Sequence, residues 1–123
     1  MIKHRTIHDV IRLADRFYRE ENVTFAYLLI ESGYPTMHDQ ISQAEIAEGL
    51  SQHLECVEPW LRWSEDKRSS SGWYLRETDR SRYAVGRMSP QESTQPTVYV
   101  DRVEACAAFI KRELDDIVTL LKE

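Results

Sequence analysis

The hydrophobic pattern of this chain changes its period near the middle, and that change limits the fold more than any other feature. Ahead of residue 60 the apolar residues recur every three or four positions, as in helices, whereas after residue 72 they alternate, as in strands. Trp60, Trp63 and Trp73, the only tryptophans in the chain, lie at the change. Large aromatic residues mostly serve packing, so we expect a corner of the core here. An exposed aromatic binding platform is the alternative.

Length and composition indicate one globular domain over residues 1–123. The chain is 41% hydrophobic and 30% charged, which is typical of a folded domain rather than of a disordered segment. No run approaches the ~18 apolar residues that a membrane span needs, and no apolar stretch follows the charged N-terminus as in a secretory signal. Cys56 and Cys106 form no metal-binding or redox spacing. We therefore expect a cytoplasmic protein with reduced thiols and no membrane partner.

The first forty residues predict two helices. Thr6 is suited to cap the first one, with Asp9 at the capping-box position three residues later. Residues 23–30 are apolar on every side, so their period alone does not separate a helix from a buried strand. Gly33 and Pro35 follow and form a helix-stop signature. This favours a short, buried helix.

A third helix has the clearest start signal in the chain. Ser42 and Glu45 make a capping box, and Ile41 and Ile46 stand at the two positions of a hydrophobic staple. An apolar stripe with helical period follows, formed by Ile46, Leu50, Leu54, Val57 and Leu61. Pro59 removes a backbone donor, so the helix should kink or restart there.

The middle of the chain is strongly acidic. Residues 20–66 carry ten acidic side chains against one basic side chain, Arg62, which is a net charge of −9 within a chain of net charge −5. Such a block disfavours nucleic-acid binding and suits a basic protein partner. Along the helix predicted for residues 42–57, the acidic side chains fall opposite the apolar stripe. They form either an ordinary solvated face or a docking surface. The candidate docking residues are Asp39, Glu45, Glu48, Glu55 and Glu58.

The second half predicts a small sheet and a closing helix. Residues 73–77 and 82–88 flank a polar turn at 78–81, as in a hairpin, and Gly86 indicates a bulge or a close backbone approach. After a surface loop at 89–96, residues 97–100 are a short third strand. Asp101 and Glu104 open the last helix, which is amphipathic. The fold class is therefore α+β: N-terminal helices, a three-stranded antiparallel meander, and a C-terminal helix packed on the sheet.

Motifs that carry chemistry are scarce. His4 and His8 have helical ligand spacing, but no further ligand pattern accompanies them. His53 and Cys56 place an imidazole and a thiol one turn apart, yet no orienting group or Gly-rich element is nearby. No phosphate-binding loop or dinucleotide fingerprint occurs. We therefore assign no catalytic residue, no metal ligand and no cofactor. The sheet arginines at 76, 80, 82 and 87 alternate with Trp73, Tyr74 and Tyr83, which is compatible with a nucleic-acid face or with an ordinary polar outer face.

Three segments carry a family resemblance. Residues 60–74 (WLRWSEDKRSSSGWY), followed by 83–86 (YAVG) and 103–110 (VEACAAFI), resemble small bacterial immunity proteins of contact-dependent growth inhibition and related polymorphic-toxin systems. The similarity runs over about residues 42–117. It implies a non-enzymatic cytoplasmic protein that binds and neutralises the toxin domain encoded beside it. It implies no particular toxin-binding residues, because the contact surface in such families differs from pair to pair.

The expected function is accordingly that of an immunity protein whose partner is a cognate toxin C-terminal domain, and we expect this toxin to be a nuclease with a basic substrate cleft. An acidic surface would occlude such a cleft and speed association. The alternative is a small regulatory or adaptor module that binds nucleic acid or a peptide through its sheet face. A weaker third option is a hydrolase or transferase that uses His53 and Cys56.

Overall fold

A computed structural model describes residues 2–66, 72–78, 81–88 and 95–121. Its helices are α1 (Ile2–Ile11), α2 (Leu13–Arg19), α3 (Phe25–Ser32), α4 (Tyr34–Met37), α5 (Gln43–Ser51), α6 (Val57–Asp66) and α7 (Arg102–Leu121). Short 3₁₀ turns cover His38–Gln40 and Leu54–Cys56. The strands are β1 (Gly72–Glu77), β2 (Tyr83–Met88) and β3 (Thr97–Tyr99). The predicted α+β class, with helices first, a three-stranded meander and a closing helix on the sheet, is confirmed.

The sheet is antiparallel with strand order β1-β2-β3. The first pair runs without interruption from Gly72 opposite Met88 to Glu77 opposite Tyr83, which confirms the hairpin. Thr78 N–H donates to the Arg82 carbonyl at 2.7 Å and closes the connection. Residues 79–80 of the predicted turn, and residues 89–94 of the predicted surface loop, lie outside the described residues.

Gly86 marks a close approach, as predicted, but the approaching group is a side chain. Tyr74 stands opposite Gly86 in the register, and a Cβ added to Gly86 would lie 2.5 Å from Tyr74 Oη. The uninterrupted pairing leaves no bulge in this strand pair. A side chain at position 86 would therefore need the Tyr74 ring to move from its place over the strand.

Helices α6 and α7 cover one face of the sheet and also reach the outer edge of β1. Leu75 and Val85, a cross-strand pair, are buried against these helices. Leu75 N–H donates to Ser64 Oγ at 2.7 Å, and Trp73 N–H donates to Glu113 Oε1 at 3.2 Å. These side chains satisfy two backbone donors on an edge strand that would otherwise be open to another strand.

The predicted corner of the core is confirmed for the two tryptophans of α6. Trp60 is fully buried, makes edge-on contact with Trp63 and Phe109, and donates its indole N–H to the Ile11 carbonyl at 2.9 Å. Trp73 is only partly buried, and its Nε1 is a buried donor without a hydrogen-bond partner in the described part of the chain. Trp60 therefore packs among the helices, and hydrogen bonds from the helices to β1 come from Ser64 and Glu113.

The start of the first helix was predicted wrongly. α1 begins at Ile2, so Thr6 lies inside it, where its buried hydroxyl points to Met37 Sδ at 3.6 Å instead of capping the helix. A second difference is the break at Arg12 (φ −98°, ψ 0°), which separates α1 from α2. Neither glycine nor proline signals this break. It coincides with the tertiary bond from Trp60 to the Ile11 carbonyl.

The helix predicted for residues 23–30 is confirmed as α3, but its all-round burial is wrong. Thr24 caps it by accepting from Tyr27 N–H at 3.1 Å, and Gly33 ends it in the left-handed region at φ 84°. Tyr27 and Ile30 are 56% and 58% exposed. Only one side of α3 packs on the core, because the opposite side has no covering element among the described residues. Pro35 does not end the helical segment, because it lies in the first turn of the next helix, α4.

The capping box of the third predicted helix is confirmed. Ser42 Oγ accepts from Glu45 N–H at 3.1 Å, and Ser42 N–H donates to Glu45 Oε1 at 3.0 Å. The helix is nevertheless shorter than predicted, since α5 ends at Ser51 and a new helix starts at Val57 after a 3₁₀ turn. Leu54, placed on the apolar stripe by its spacing, is 59% exposed in that turn. The restart precedes Pro59, which lies in the first turn of α6.

The closing helix follows its sequence pattern closely. Asp101 Oδ1 accepts from Val103 N–H at 3.0 Å at its start. The predicted apolar residues Cys106, Ala107, Ile110, Leu114 and Val118 are buried. Leu121, at the end, is 44% exposed, so the apolar stripe stops one turn earlier than predicted.

Candidate functional site

The five candidate docking residues lie in three places rather than on one helix face. Glu45 and Glu48 line a cleft of about 230 Å³ between α1 and α5. Glu55 and Glu58 line a larger groove of about 530 Å³ between α2 and α6. Asp39 is exposed in the 3₁₀ turn before α5 and lines neither of them. The cause is the helix break after Ser51, which removes Glu55 from the helical spacing used to group it with Glu45 and Glu48.

We call the larger depression the α2–α6 groove. It is lined by Asp15, Tyr18, Glu55, Glu58, Pro59, Leu61, Arg62 and Glu65. Four carboxylates therefore stand around a surface that also carries apolar side chains, and one guanidinium stands among them. Asp15 and Tyr18 come from α2, far from the others in sequence, so their membership was not predicted. No local pattern signals it, because it depends on how α2 packs against α6.

One wall of the groove is an aromatic ring with a guanidinium stacked on it. The Cζ atom of Arg62 lies 4.1 Å from the centre of the Tyr18 ring. Tyr18 donates its hydroxyl to Asp66 Oδ2 at 2.8 Å, and Arg62 Nε lies 3.7 Å from the same oxygen. Burial and this hydrogen bond raise the pKa of Tyr18 to about 12. The phenol is therefore a neutral donor at physiological pH.

The rim carboxylates make ion pairs at the surface. Glu58 Oε2 lies 2.5 Å from Arg102 Nη2, and Glu55 Oε2 lies 3.9 Å from Arg12 Nη1. The two glutamate side chains are 75% and 67% exposed. Ion pairs of this kind contribute little to stability, about 0–1 kcal/mol. These carboxylates can therefore exchange their partners for cations of another molecule at low cost.

The two acidic residues of the smaller cleft, Glu45 and Glu48, differ in their contacts with the rest of the protein. Glu45 caps α5 and lies 2.8 Å from Lys3 Nζ. The Lys3 contact and the hydrogen bonds from Ser42 lower the pKa of Glu45 to about 2. Glu48 is exposed on the same helix and lines the cleft. Glu48 is thus the more available of the two for a partner.

Arg12 joins the cleft to the groove. Its guanidinium donates to His8 Nε2 at 3.2 Å and lies 3.2 Å from His53 Nδ1, and both histidines line the smaller cleft. The same guanidinium is paired with Glu55 on the α2–α6 groove. The two depressions are therefore neighbours, and the Arg12 guanidinium lies between them.

The surroundings of Cys56, in the His53–Cys56 pair, do not favour a thiolate. Arg12 Nη1 donates to Cys56 Sγ at 3.4 Å, but the thiol is buried, and burial raises its pKa above the usual value. Reactive cysteines have a lowered pKa instead. Within the described ranges, no group of three or more His, Cys, Asp or Glu side chains is arranged to hold a metal ion.

The arginine and aromatic residues predicted as a possible nucleic-acid face do not share a face. Cross-strand partners and alternate residues point to the same side of a sheet. Trp73, Tyr83 and Arg87 therefore lie on the side that packs on α6 and α7, whereas Tyr74 and Arg76 lie on the opposite side. Of the other two arginines, Arg82 lies in the hairpin connection and residue 80 is outside the described residues. The predicted single face does not form.

Comparison of the chain with protein-family models, with curated proteins and with solved structures gives no match. In the described part of the chain, no helix combines the length and the apolar character needed to cross a membrane. The choice among functions therefore depends on the surfaces described above.

Proposed function

We propose that this protein is an immunity protein that binds a cognate toxin domain of a contact-dependent growth inhibition or related polymorphic-toxin system and neutralises it. The observation that carries the proposal is the acidic surface formed by two neighbouring depressions, the α1–α5 cleft and the α2–α6 groove. Its concave shape and its charge suit a basic protein partner. The resemblance of residues 60–74 and 103–110 to immunity proteins agrees with this choice.

A nuclease is the toxin class that such a surface fits best. A nuclease needs a basic cleft to hold its polyanionic substrate. An acidic inhibitor surface can occupy that cleft, and long-range attraction raises the association rate by factors of ten to a thousand. The same charge repels nucleic acid, so it disfavours the adaptor function in which this protein itself would bind nucleic acid.

Growth rescue tests the proposal directly. The C-terminal domain of the protein encoded beside this gene is expressed in bacteria with and without the present protein. We expect the domain alone to arrest growth, the pair to grow normally, and the two proteins to co-purify as a stoichiometric complex. A neighbouring product that does not arrest growth, or an arrest that this protein does not relieve, would reject the proposal.

Charge reversal tests whether the acidic surface makes the contact. Glu48→Lys combined with Glu55→Lys should change stability by under about 0.5 kcal/mol for each residue, because both side chains are exposed. The free energy of binding to the toxin should become less favourable by several kcal/mol, and each ~1.4 kcal/mol lowers the affinity about tenfold. The association rate of the parent should decrease with added salt, and that of the double variant much less.

A matched control separates the position of the charge from the total charge. Glu21→Lys with Glu77→Lys changes the net charge by the same amount, and both residues are exposed and line neither depression. Affinity and association rate are measured against ionic strength for the three proteins, with circular dichroism as the folding control. If the first double variant binds like the parent, with the same salt dependence, the acidic surface is not the interface.

A further inference from the structure

The α2–α6 groove already holds one arginine of the chain. Arg62 stacks on Tyr18 with 4.1 Å between Cζ and the ring centre, and its Nε lies 3.7 Å from Asp66 Oδ2. Its side chain is nevertheless 67% exposed, so it occupies the wall of the groove without filling it. At this wall of the groove, a guanidinium can therefore stack on the Tyr18 ring and lie close to the Asp66 carboxylate at the same time.

The remaining lining offers the same combination to a second basic side chain. Leu61 and Pro59 provide apolar surface on which a methylene stem can lie. Glu55, Glu58 and Glu65 line the same groove and provide carboxylates. The volume of about 530 Å³ is within the range of pockets that enclose a ligand.

We propose that the α2–α6 groove docks an arginine side chain presented by a basic segment of a partner protein. The incoming guanidinium pairs with Glu58 and Glu65 and competes with Arg62 for the face of Tyr18. Its stem packs on Leu61. This deepens the proposed function by giving the chemistry of one toxin contact, and it depends on that function for the identity of the partner.

Arginine fits this groove better than lysine for three reasons. Its planar fork pairs with a carboxylate through two parallel hydrogen bonds, it stacks on aromatic rings, and it is more weakly hydrated than an ammonium group. The exposed pair between Glu58 and Arg102 is no obstacle, because surface pairs of this type are worth about 0–1 kcal/mol. A partner arginine can therefore replace Arg102 at little cost.

Two capped peptides of equal charge test the proposal without any toxin. The probes are the acetylated and amidated peptides Gly-Arg-Gly-Arg-Gly and Gly-Lys-Gly-Lys-Gly, titrated into the isotopically labelled full chain at low ionic strength. We expect the arginine peptide to shift the amide signals of Tyr18, Leu61 and Glu65, and to bind severalfold more tightly than the lysine peptide. Equal affinities, or shifts that lie elsewhere or do not occur at millimolar peptide, would overturn the proposal.

Two variants define the contacts. Glu58→Gln with Glu65→Gln should weaken the arginine peptide by about fivefold or more, as expected for two lost surface ion pairs. Arg62→Ala should tighten it, since the resident competitor is removed. Arg5→Ala is the matched control, because Arg5 is exposed on α1 and lines neither depression. Arg62→Ala that binds no more tightly than Arg5→Ala would show that Arg62 is not a competitor. If a variant fails to fold, the shift map of the parent decides.

The two proposals fail in different ways. If the arginine peptide does not bind the groove and the protein still rescues cells from a toxin, only the groove proposal is wrong. If the peptide binds the groove and no neighbouring protein is neutralised, only the immunity function is wrong.

Discussion

Two tryptophans with opposite hydrogen-bond states allow the energetics of the core corner to be tested by the same substitution. Trp60 is fully buried and donates its indole N–H to the Ile11 carbonyl at 2.9 Å. Trp73 Nε1 is buried and has no partner among the described residues. Replacing each with phenylalanine removes the N–H and part of the ring. Only at position 60 does this also leave an acceptor without its donor.

The expected magnitudes differ clearly. For Trp60→Phe, the loss of a donor to the buried Ile11 carbonyl costs about 1–3 kcal/mol. The smaller ring adds about 1 kcal/mol for a void of a few tens of Å³, at ~24 cal/mol per Å³. The total is about 2–4 kcal/mol. For Trp73→Phe, the removal of an unpaired buried donor gains about 1–3 kcal/mol and offsets the lost ring contacts, including those with Arg87 and Arg112. The net change should be within about 1 kcal/mol of the parent.

The assay is urea unfolding followed by far-UV circular dichroism, because both variants remove a fluorescent tryptophan. A shared slope of free energy against urea shows that the variants unfold to similar states, and the shift of the midpoint then gives the change in stability. Equal losses at positions 60 and 73 would refute the hydrogen-bond argument. A Trp60→Phe variant within about 0.5 kcal/mol of the parent would refute it as well.

Two further predictions concern titratable groups. The pKa of Glu45 should be about 2. Lys3→Ala should raise this pKa, but the hydrogen bonds from Ser42 should keep it below the usual value. Carboxyl NMR titration measures the pKa in the parent and in the variant. Because the pKa in the folded state is lowered, the contribution of Glu45 to stability is present above the unfolded-state pKa of about 4.3 and is lost as pH falls through the folded-state pKa of about 2. Burial raises the pKa of both Cys56 and Cys106. Each thiol should therefore react slowly with iodoacetamide at about pH 7 in the native protein and quickly in denaturant. Rapid alkylation of native Cys56 would contradict the assignment of a buried, protonated thiol.

Structural features that depend only on residues close together in the sequence were predictable. The capping box of Ser42 and Glu45 requires only residues three apart, and it forms as predicted. The stop at Gly33 requires a left-handed backbone that glycine adopts without strain, and it also forms. The alternation in the hairpin and the period of α7 are equally local, which is why the fold class could be predicted.

Features set by distant contacts were not predictable in the same way. The helix breaks at Arg12 although no glycine or proline stands there. At that break the indole N–H of Trp60, 49 positions beyond Ile11, donates to the Ile11 carbonyl. Thr6 has good capping chemistry, but its hydroxyl is buried against Met37. Local propensity is a weak prior that tertiary packing overrides.

The candidate surface shows the same division. Glu55 and Glu58 belong to the acidic block and were identified from their charge and from the helical spacing expected for residues 42–57. Their neighbours Asp15 and Tyr18 lie outside that block and join the groove only because α2 packs on α6. Charge and spacing therefore identified candidate residues, but they could not give the concave shape of the groove or its aromatic wall.

The ring of Tyr74 over Gly86 links two positions that lie twelve residues apart on neighbouring strands. A side chain at position 86 would meet the phenol, so it requires either that the Tyr74 ring turns away or that position 74 becomes smaller. A smaller residue at 74, in turn, uncovers the backbone of the glycine to water. The residues that position 86 accepts therefore depend on the residue at position 74.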